Sequence, residues 1–206
     1  MMTVSKIEPL SKSRYKVFIE GQFAFTLYKG ELSRYHIVEN SVIEEETYDI
    51  LQELVIKRAK LRAMHLLSDM GRTEAQLRTK LKQGGYPEKA LEEAIRYVKS
   101  FGYINDMEYV RSFVDSRKEK KSKKEIYAAL KQKGVDSDVI GQVFEEMDYG
   151  EDDSRKAIET LLKKRKYDPA TADFKEKQKL TGYLMRKGFR YEDINTVLNM
   201  SDLDIW

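Results

Sequence analysis

The chain has 206 residues, no cysteine and a formal net charge of +3, with 41% hydrophobic and 35% charged residues. The lack of cysteine excludes disulfides and thiolate chemistry, and no apolar run approaches the roughly 20 residues that a bilayer-spanning helix needs. The composition favours an extended helical array over one large globule, and we expect a cytoplasmic protein with no leader and no membrane contact.

Residues 3–27 differ in character from the rest of the chain because they are rich in aromatic and β-branched residues. Segments 14–19 and 22–27 have the composition of strands and flank a Glu-Gly pair ending at Gly21, which is typical of a hairpin turn. Segment 3–8 is a candidate third strand. The sequence therefore predicts a small β element over residues 1–40.

A long helix is predicted to follow the β element. Ser41-x-x-Glu44 has the form of a capping box, in which the hydroxyl and the carboxylate satisfy backbone amides of the first helical turn. Apolar residues then recur at helical spacing from Ile50 to Leu67, so that the helix continues toward Ser68.

The rest of the chain repeats one pattern three times around Gly85, Gly134 and Gly188, which are 49 and 54 residues apart. Apolar residues occur at −8, −4, +1, +6, +9 and +10 from each glycine. An apolar pair four apart before a glycine indicates a helix that ends in the left-handed conformation, which glycine adopts without steric cost. Each repeat is therefore predicted to contain a helix, a glycine stop and a second helix.

Helix starts support this reading. Thr73-x-x-Gln76 and Ser122-x-x-Glu125 are capping boxes at the start of the first helix of the motif in repeats one and two. Repeat three lacks this motif, and Asp173 is the expected cap there.

Two joining segments between repeats are each predicted to lead into a further helix, which gives repeats two and three their third helix. Segment 101–106 combines a glycine stop, a short extended link and a capping Asn/Asp pair, and segment 148–153 is predicted to repeat this device. The predicted fold class is mainly α, with three tandem three-helix repeats behind a small β element. The predicted domains are 1–40 for the β element, 41–105 for repeat one, 106–150 for repeat two and 151–206 for repeat three.

Charge is distributed unevenly along the repeats. Residues 57–134 hold 20 lysines and arginines against 10 acidic residues, residues 135–154 hold none against 8, and residues 155–206 sum to +4. The first two repeats are therefore expected to carry a basic surface.

Two groups of cations are candidates for binding a filament or DNA. One group lies on the helix that precedes Gly85. The other surrounds the start of the helix that precedes Gly134, where backbone amides and lysines together suit a phosphate or carboxylate. Solvated charge on an ordinary amphipathic helix or link is the alternative explanation. The candidate residues are Arg72, Arg78, Lys80, Lys82, Arg117, Lys120, Lys121, Lys123 and Lys124.

The sequence offers no catalytic constellation, so no enzyme, metal site or cofactor is predicted. His36 and His65 are the only histidines and neither has a second ligand at metal-binding spacing. Tyr86, Tyr97, Tyr103 and Tyr109 are candidates for stacking on bases beside the basic surface, although packing in the core is the commoner role for tyrosines at apolar positions.

Taken together, these motifs resemble the bacterial RecX family of recombination regulators over residues 55–200. Segment 101–106, preceded by the helix start at Arg72-Thr73-Glu74, is the most specific part of this resemblance. Asn105 stands in that segment where an aspartate is usual in the family. The matching motifs are Arg72-Thr73-Glu74, Leu77, Lys80-Leu81, Gly85-Tyr86, Phe101-Gly102-Tyr103-Ile104-Asn105-Asp106, Tyr109, Ser112-Phe113, Arg117, Leu130 and Lys133-Gly134-Val135.

The resemblance implies an elongated, curved array that binds RecA recombinase filaments. It further implies inhibition of recombinase, ATPase and co-protease activities in recombination, DNA repair and the SOS response, with no catalytic residue. Single-stranded DNA would be met directly or through the filament, and we expect a monomer because such an array needs no self-association. The alternative is a helical-repeat module that binds single-stranded DNA by itself.

Overall fold

The computed structural model describes residues 1–147, 149–168 and 171–198, and the chain forms two compact units that divide after Asn105. The described part contains four strands and ten helices. The first unit comprises β1 (Met2–Pro9), β2 (Arg14–Ile19), β3 (Gln22–Tyr28), α1 (Lys29–Arg34), β4 (Val42–Ile43), α2 (Glu45–Asp69), α3 (Glu74–Gln83) and α4 (Glu88–Ser100). The second comprises α5 (Asp106–Asp115), α6 (Lys123–Gln132), α7 (Ser137–Glu146), α8 (Glu151–Lys164), α9 (Phe174–Arg186) and α10 (Tyr191–Leu198).

The β element is confirmed and is larger than predicted. All pairings are antiparallel, in the order β3-β2-β1-β4, so the candidate third strand is real. The hairpin turn has positive φ at both central residues, 50° at Glu20 and 78° at Gly21, which matches the right-handed twist of the flanking strands. Strand β4, which pairs with Met2 and Thr3, was not predicted.

The capping box predicted at Ser41 is wrong. Strand β4 follows Ser41 directly, helix α2 begins at Glu45, and Glu44 occupies the N-cap position. The Ser41 hydroxyl instead donates to the carbonyl of Val38, 2.7 Å away, and so closes a turn that returns the chain to the sheet. A local motif was overridden here by a pairing with the start of the chain.

One hydrophobic core fills the first unit. The buried face of the sheet, including Val17 and Phe25, packs in the same cluster as the apolar stripe of α2, which includes Leu51 and Val55. The apolar residues of α3 and α4 complete this cluster. Helix α2 with α3 and α4 is therefore the predicted three-helix unit.

The glycine stops are confirmed in all three repeats. Gly85, Gly134 and Gly188 have φ of 81°, 79° and 89°. In each case the amide after the glycine donates to the carbonyl five residues earlier, as from Tyr86 to Leu81 at 3.2 Å. The apolar columns at −8, −4, +6 and +10 are buried throughout.

The helix caps of the motif are also confirmed. The hydroxyls of Thr73 and Ser122 accept the amides of Gln76 and Glu125, and both capping boxes are complete. Asp173 caps α9 by accepting the amide of Glu176 at 2.7 Å.

The two joints differ from each other. Gly102 has φ of 68° and ends α4, as predicted. The prediction of the same device at the second joint is wrong for Gly150, which has an extended backbone with φ of −110° and occupies the N-cap of α8. Asp148, which precedes it, lies outside the described residues, and so do residues 199–206 of the predicted third domain. The four predicted domain limits remain a prediction.

Two glycine stops are covered by a hydroxyl from the preceding part of the chain. Thr26 of β3 donates to the carbonyl of Gly85, and Ser122 donates to the carbonyl of Lys187 at 2.5 Å. Close packing accompanies both bonds, because a Cβ on Gly85 would lie 2.6 Å from Leu10 and a Cβ on Gly188 would lie 2.7 Å from the Lys124 side chain. The β element thus packs on the glycine stop of repeat one in the same way as repeat two packs on the glycine stop of repeat three. The β element therefore acts as a terminal cap of the repeat array.

Candidate functional site

The predicted cation cluster of the first unit is largely neutralised by carboxylates. The Arg78 guanidinium donates to Glu92 through both terminal nitrogens and to Glu74 at 2.9 Å. The hydrogen bonds that Arg78 donates to Glu92, and then to Glu74, raise the pKa of Arg78 above its usual value. Arg78 therefore joins α3 to α4. Its positive charge is compensated by the two carboxylates and is poorly available to an anionic ligand.

The other three cations of this cluster differ in the contacts that their side chains make. Arg72 donates through Nε to the carbonyl of Leu66 at 3.0 Å and so ties the start of α3 to the end of α2. Lys82 lies 3.4 Å from the carboxylate of Glu88, and both side chains are exposed. Lys80 is exposed. The structure does not gather these residues into one cationic pocket.

The lysine run before α6 is held by the fold at several points. Residues 117–121 form a helical turn in which the amides of Lys120 and Lys121 donate to the carbonyl of Arg117 at 2.8 and 2.9 Å. The Tyr149 hydroxyl donates to the carbonyl of Lys121 at 3.0 Å, and burial raises the pKa of this tyrosine to about 12. The backbone of the run is thus tied to the core of repeat two.

The side chains of the run have different partners. The Arg117 guanidinium lies 3.8 Å from the ring centroid of Phe113, and Lys123 Nζ lies 4.9 Å from that of Phe144. Lys121 pairs with Glu125 at 3.5 Å, whereas the aliphatic part of Lys124 packs on Gly188. Lys120 is exposed. The amide of Glu125 in the first turn of α6 is already bound by the hydroxyl of the buried Ser122.

An exposed aromatic stack lies at the end of α4, and it joins the stacking candidates Tyr97 and Tyr103 to Phe101, which the sequence reasoning missed. Phe101 and Tyr103 are 58% and 53% exposed, and their rings are stacked with centroids 5.6 Å apart and planes 16° from parallel. Tyr97 adds a third ring 4.9 Å from Phe101, and Lys60 Nζ lies 5.3 Å from the Tyr97 centroid. The apolar spacing had suggested core positions, and only the glycine between Phe101 and Tyr103 hinted that these rings face outward.

A third group of cations was also missed, in repeat three. Helix α8 ends with Lys163 and Lys164, and Arg165 and Lys166 follow it directly. The first half of α9 carries Lys175, Lys177 and Lys179. The structure places Arg165, Lys175 and Lys179 around one cleft of about 510 Å³. Summing charge over the whole of residues 155–206 concealed this group.

Clusters of metal-ligating side chains are absent from the described part of the chain. Within residues 1–147, 149–168 and 171–198, no group of three or more histidine, cysteine, aspartate or glutamate side chains converges as metal ligands would. His65 lies on α2 with Nδ1 3.5 Å from Asp69, and both side chains are exposed. No described helix combines the length and the apolar character that crossing a membrane requires.

The fold defines a protein of tandem three-helix repeats, and its candidate functional surfaces are cationic and aromatic. Models of the RecX family match all three repeats: the first three-helix domain matches residues 59–97, the second 105–143 and the third 151–198. The chain belongs to the RecX family.

Relatives agree along nearly the whole length. The chain is 33% identical to the regulatory protein RecX of Caldanaerobacter subterraneus over 203 residues, which cover 98% of this chain and 100% of that protein. It is 26% identical to regulatory protein RecX of Clostridium perfringens, covering 96% and 94% of the two chains. The chain is therefore a regulatory protein of the RecX type.

Solved structures agree on the fold. A crystal structure of regulatory protein RecX superposes with a TM-score of 0.61 at 22% identity, covering 97% of this chain and 100% of the other. The crystal structure of RecX from Lactobacillus salivarius gives 0.58 at 24% identity, covering 72% and 97%.

Proposed function

We propose that this chain is a non-enzymatic regulator that binds the RecA–DNA filament and inhibits its recombinase, ATPase and co-protease activities. Such a protein acts in recombination, DNA repair and the SOS response. It works as a monomer in the cytoplasm and meets single-stranded DNA directly or through the filament. The observation that carries the proposal is family membership across all three repeats.

The exposed stack of Phe101 and Tyr103 supports a protein partner in particular. Two large rings fixed against each other offer a rigid apolar surface that loses little conformational entropy on binding. Exposed aromatics of this kind are enriched among the residues that dominate binding energy at protein interfaces. The stack also lies in segment 101–106, on which the resemblance noted in the sequence rests most, so we assign it to recombinase contact.

The test measures single-strand-dependent ATP hydrolysis by the cognate RecA while this protein is titrated in substoichiometric amounts. Inhibition at ratios well below one per recombinase, together with weak binding to naked strands, is the expected result. Unchanged hydrolysis alongside tight binding to naked strands would overturn the proposal.

The same assay tests the aromatic stack through the double variant Phe101→Ala with Tyr103→Ala. Loss of an interface centre costs about 2 kcal/mol, so about 30-fold more protein should be needed for half inhibition. Met185→Ala removes a side chain that is 52% exposed elsewhere and should leave inhibition unchanged. Equal inhibition by the double variant and the wild type, with equal melting temperatures, would show that the stack does not contact the recombinase.

The second candidate function is a module that binds single-stranded DNA without the recombinase. It is favoured by the cations at Arg117, Lys120 and Lys123, none of which forms an ion pair with a carboxylate of the described chain. Neutralising about five phosphates would give a log-log salt slope near −3.5 with naked DNA. A slope close to zero would exclude this candidate.

A further inference from the structure

Repeat three carries a basic cleft between the end of α8 and the first half of α9. Between residues 163 and 179 the chain has seven lysines and arginines against three acidic residues. Lys175 and Lys179 lie one helical turn apart and so share a face of α9, and Arg165, the C-cap residue of α8, also lines the cleft. Cations that are far apart in sequence are thus gathered on one surface.

These cations differ from the candidates of the first unit because carboxylates do not neutralise them. Among the described residues, none of the seven forms an ion pair with an aspartate or glutamate, whereas Arg78 binds two carboxylates. Six of the seven are exposed, and Lys177 is half-buried. An array of unpaired like charges repels itself, so a polyanion that bridged them would be bound favourably.

One member of the array is held in place by an aromatic ring. The Arg165 guanidinium lies 3.9 Å from the ring centroid of Tyr183, which fixes its plane and leaves its hydrogen-bond donors free for oxygen acceptors. Tyr167 also lines the cleft, and its buried hydroxyl has no hydrogen-bond partner among the residues that the structure describes. Both groups prefer an oxygen-rich ligand to an apolar one.

The acidic residues of the cleft do not cancel this preference. The carboxylate of Asp173 is occupied as the cap of α9. That leaves Glu176 as the other acidic side chain in the lining, facing three cations. Phe174, which begins α9 beside Lys175, is 45% exposed and available for stacking.

We propose that this cleft binds the phosphate backbone of a single-stranded nucleic acid, with Arg165, Lys175 and Lys179 on the phosphates and Phe174 against a base. Separate cations along a groove with an exposed ring beside them match the general design of single-strand binding sites. The site lies in repeat three, outside the basic surface expected from regional charge. It does not require the proposed action on a recombinase.

The experiment uses the full chain and a fluorescent 20-nucleotide oligo(dT), with binding measured at 50 and 200 mM salt. The double variant Lys175→Gln with Lys179→Gln removes two phosphate contacts, so the log-log slope should become shallower by about 1.4. The loss of affinity between the two salt concentrations should then be about sevenfold smaller than in the wild type. An unchanged slope in a variant with the wild-type melting temperature would overturn the proposal.

Three controls separate the alternatives. Lys12→Gln with Lys29→Gln makes the same charge change at two exposed lysines of the first unit and should leave the slope unchanged. Lys175→Arg with Lys179→Arg keeps the charge and should keep binding; a loss as large as that of the glutamine variant would also refute the charge-based site. A peptide nucleic acid of the same sequence has a neutral backbone and should not bind.

An acidic protein is the competing ligand for such a cleft. If the glutamine variant lost affinity for polyglutamate but kept its affinity for oligo(dT), the cleft would be a protein-binding site and the proposal would be wrong. The recombinase assay above reports separately on the proposed function, so either idea can fail alone.

Discussion

Replacing Ser122 by alanine tests the contact that joins repeat two to repeat three. Its hydroxyl is 1% exposed, accepts the amide of Glu125 at 3.1 Å and donates to the carbonyl of Lys187 at 2.5 Å. One oxygen therefore serves as a helix cap and as a bond between repeats. Alanine removes both functions without adding bulk.

The expected cost is the sum of two losses. Removing a serine cap costs about 1 kcal/mol. Leaving the half-buried carbonyl of Lys187 without its donor costs about 1 kcal/mol, the typical net contribution of one hydrogen bond. Ser122→Ala should therefore lower the free energy of unfolding of the second unit by about 2 kcal/mol.

The matched control is Asp173→Ala, which removes a cap whose carboxylate makes no hydrogen bond to another repeat among the described residues. It should cost about 1 kcal/mol. Both variants are unfolded with urea and followed by circular dichroism, and native-state hydrogen exchange assigns the change to α6 and α9, because the two units need not unfold together. If the two variants lost the same stability, the bond between repeats would contribute nothing and the reasoning would be refuted.

Two further predictions concern the same unit. Gly134→Val should cost on the order of 1 kcal/mol or more, because a β-branched residue is strained at φ of 79°; an unchanged melting temperature would contradict this. Burial opposes ionisation of Glu125, yet hydrogen bonds from Lys187 and from the Ser122 amide hold its pKa below the usual 4.5. A lowered folded-state pKa stabilises the fold above the ordinary pKa, and this stability is lost as the pH falls through the folded value. Urea titrations of the wild type and of Lys187→Gln at pH 7 and below pH 4.5 measure the difference in their free energies of unfolding, which should become smaller on acidification. A difference that did not change with pH would contradict a stabilising interaction between Lys187 and the ionised Glu125.

Local rules predicted the repeats because each signal acts within a few residues. The caps at Thr73 and Ser122 and the stop at Gly85 satisfy amides and carbonyls of their own helix ends, so sequence spacing alone reveals them. Ser41 lies in the same capping-box pattern, but a strand and not a helix follows it. Its neighbours pair with the start of the chain, and no local pattern reports a pairing about 40 residues away.

The candidate sites were harder to predict because charge is neutralised between elements. Arg78 resembles any exposed helix cation in sequence, yet Glu92 from the next helix binds it. The cations of repeat three were hidden by acidic residues that lie elsewhere in the same segment. The exposure of Phe101 depends on where α4 ends relative to α2, which periodicity does not determine.

The packing of repeat two on repeat three also decides which lysine best tests the run before α6. Lys124 covers Gly188, and Lys121 pairs with Glu125, which in turn binds Lys187 at 2.8 Å. Changing either residue alters the contact between repeats as well as the surface charge, so a loss of function would have two explanations. Lys120 is exposed and its side chain makes no contact of that kind among the described residues. A charge change at Lys120 therefore reports on ligand binding alone, and the other lysines become informative only after stability has been measured.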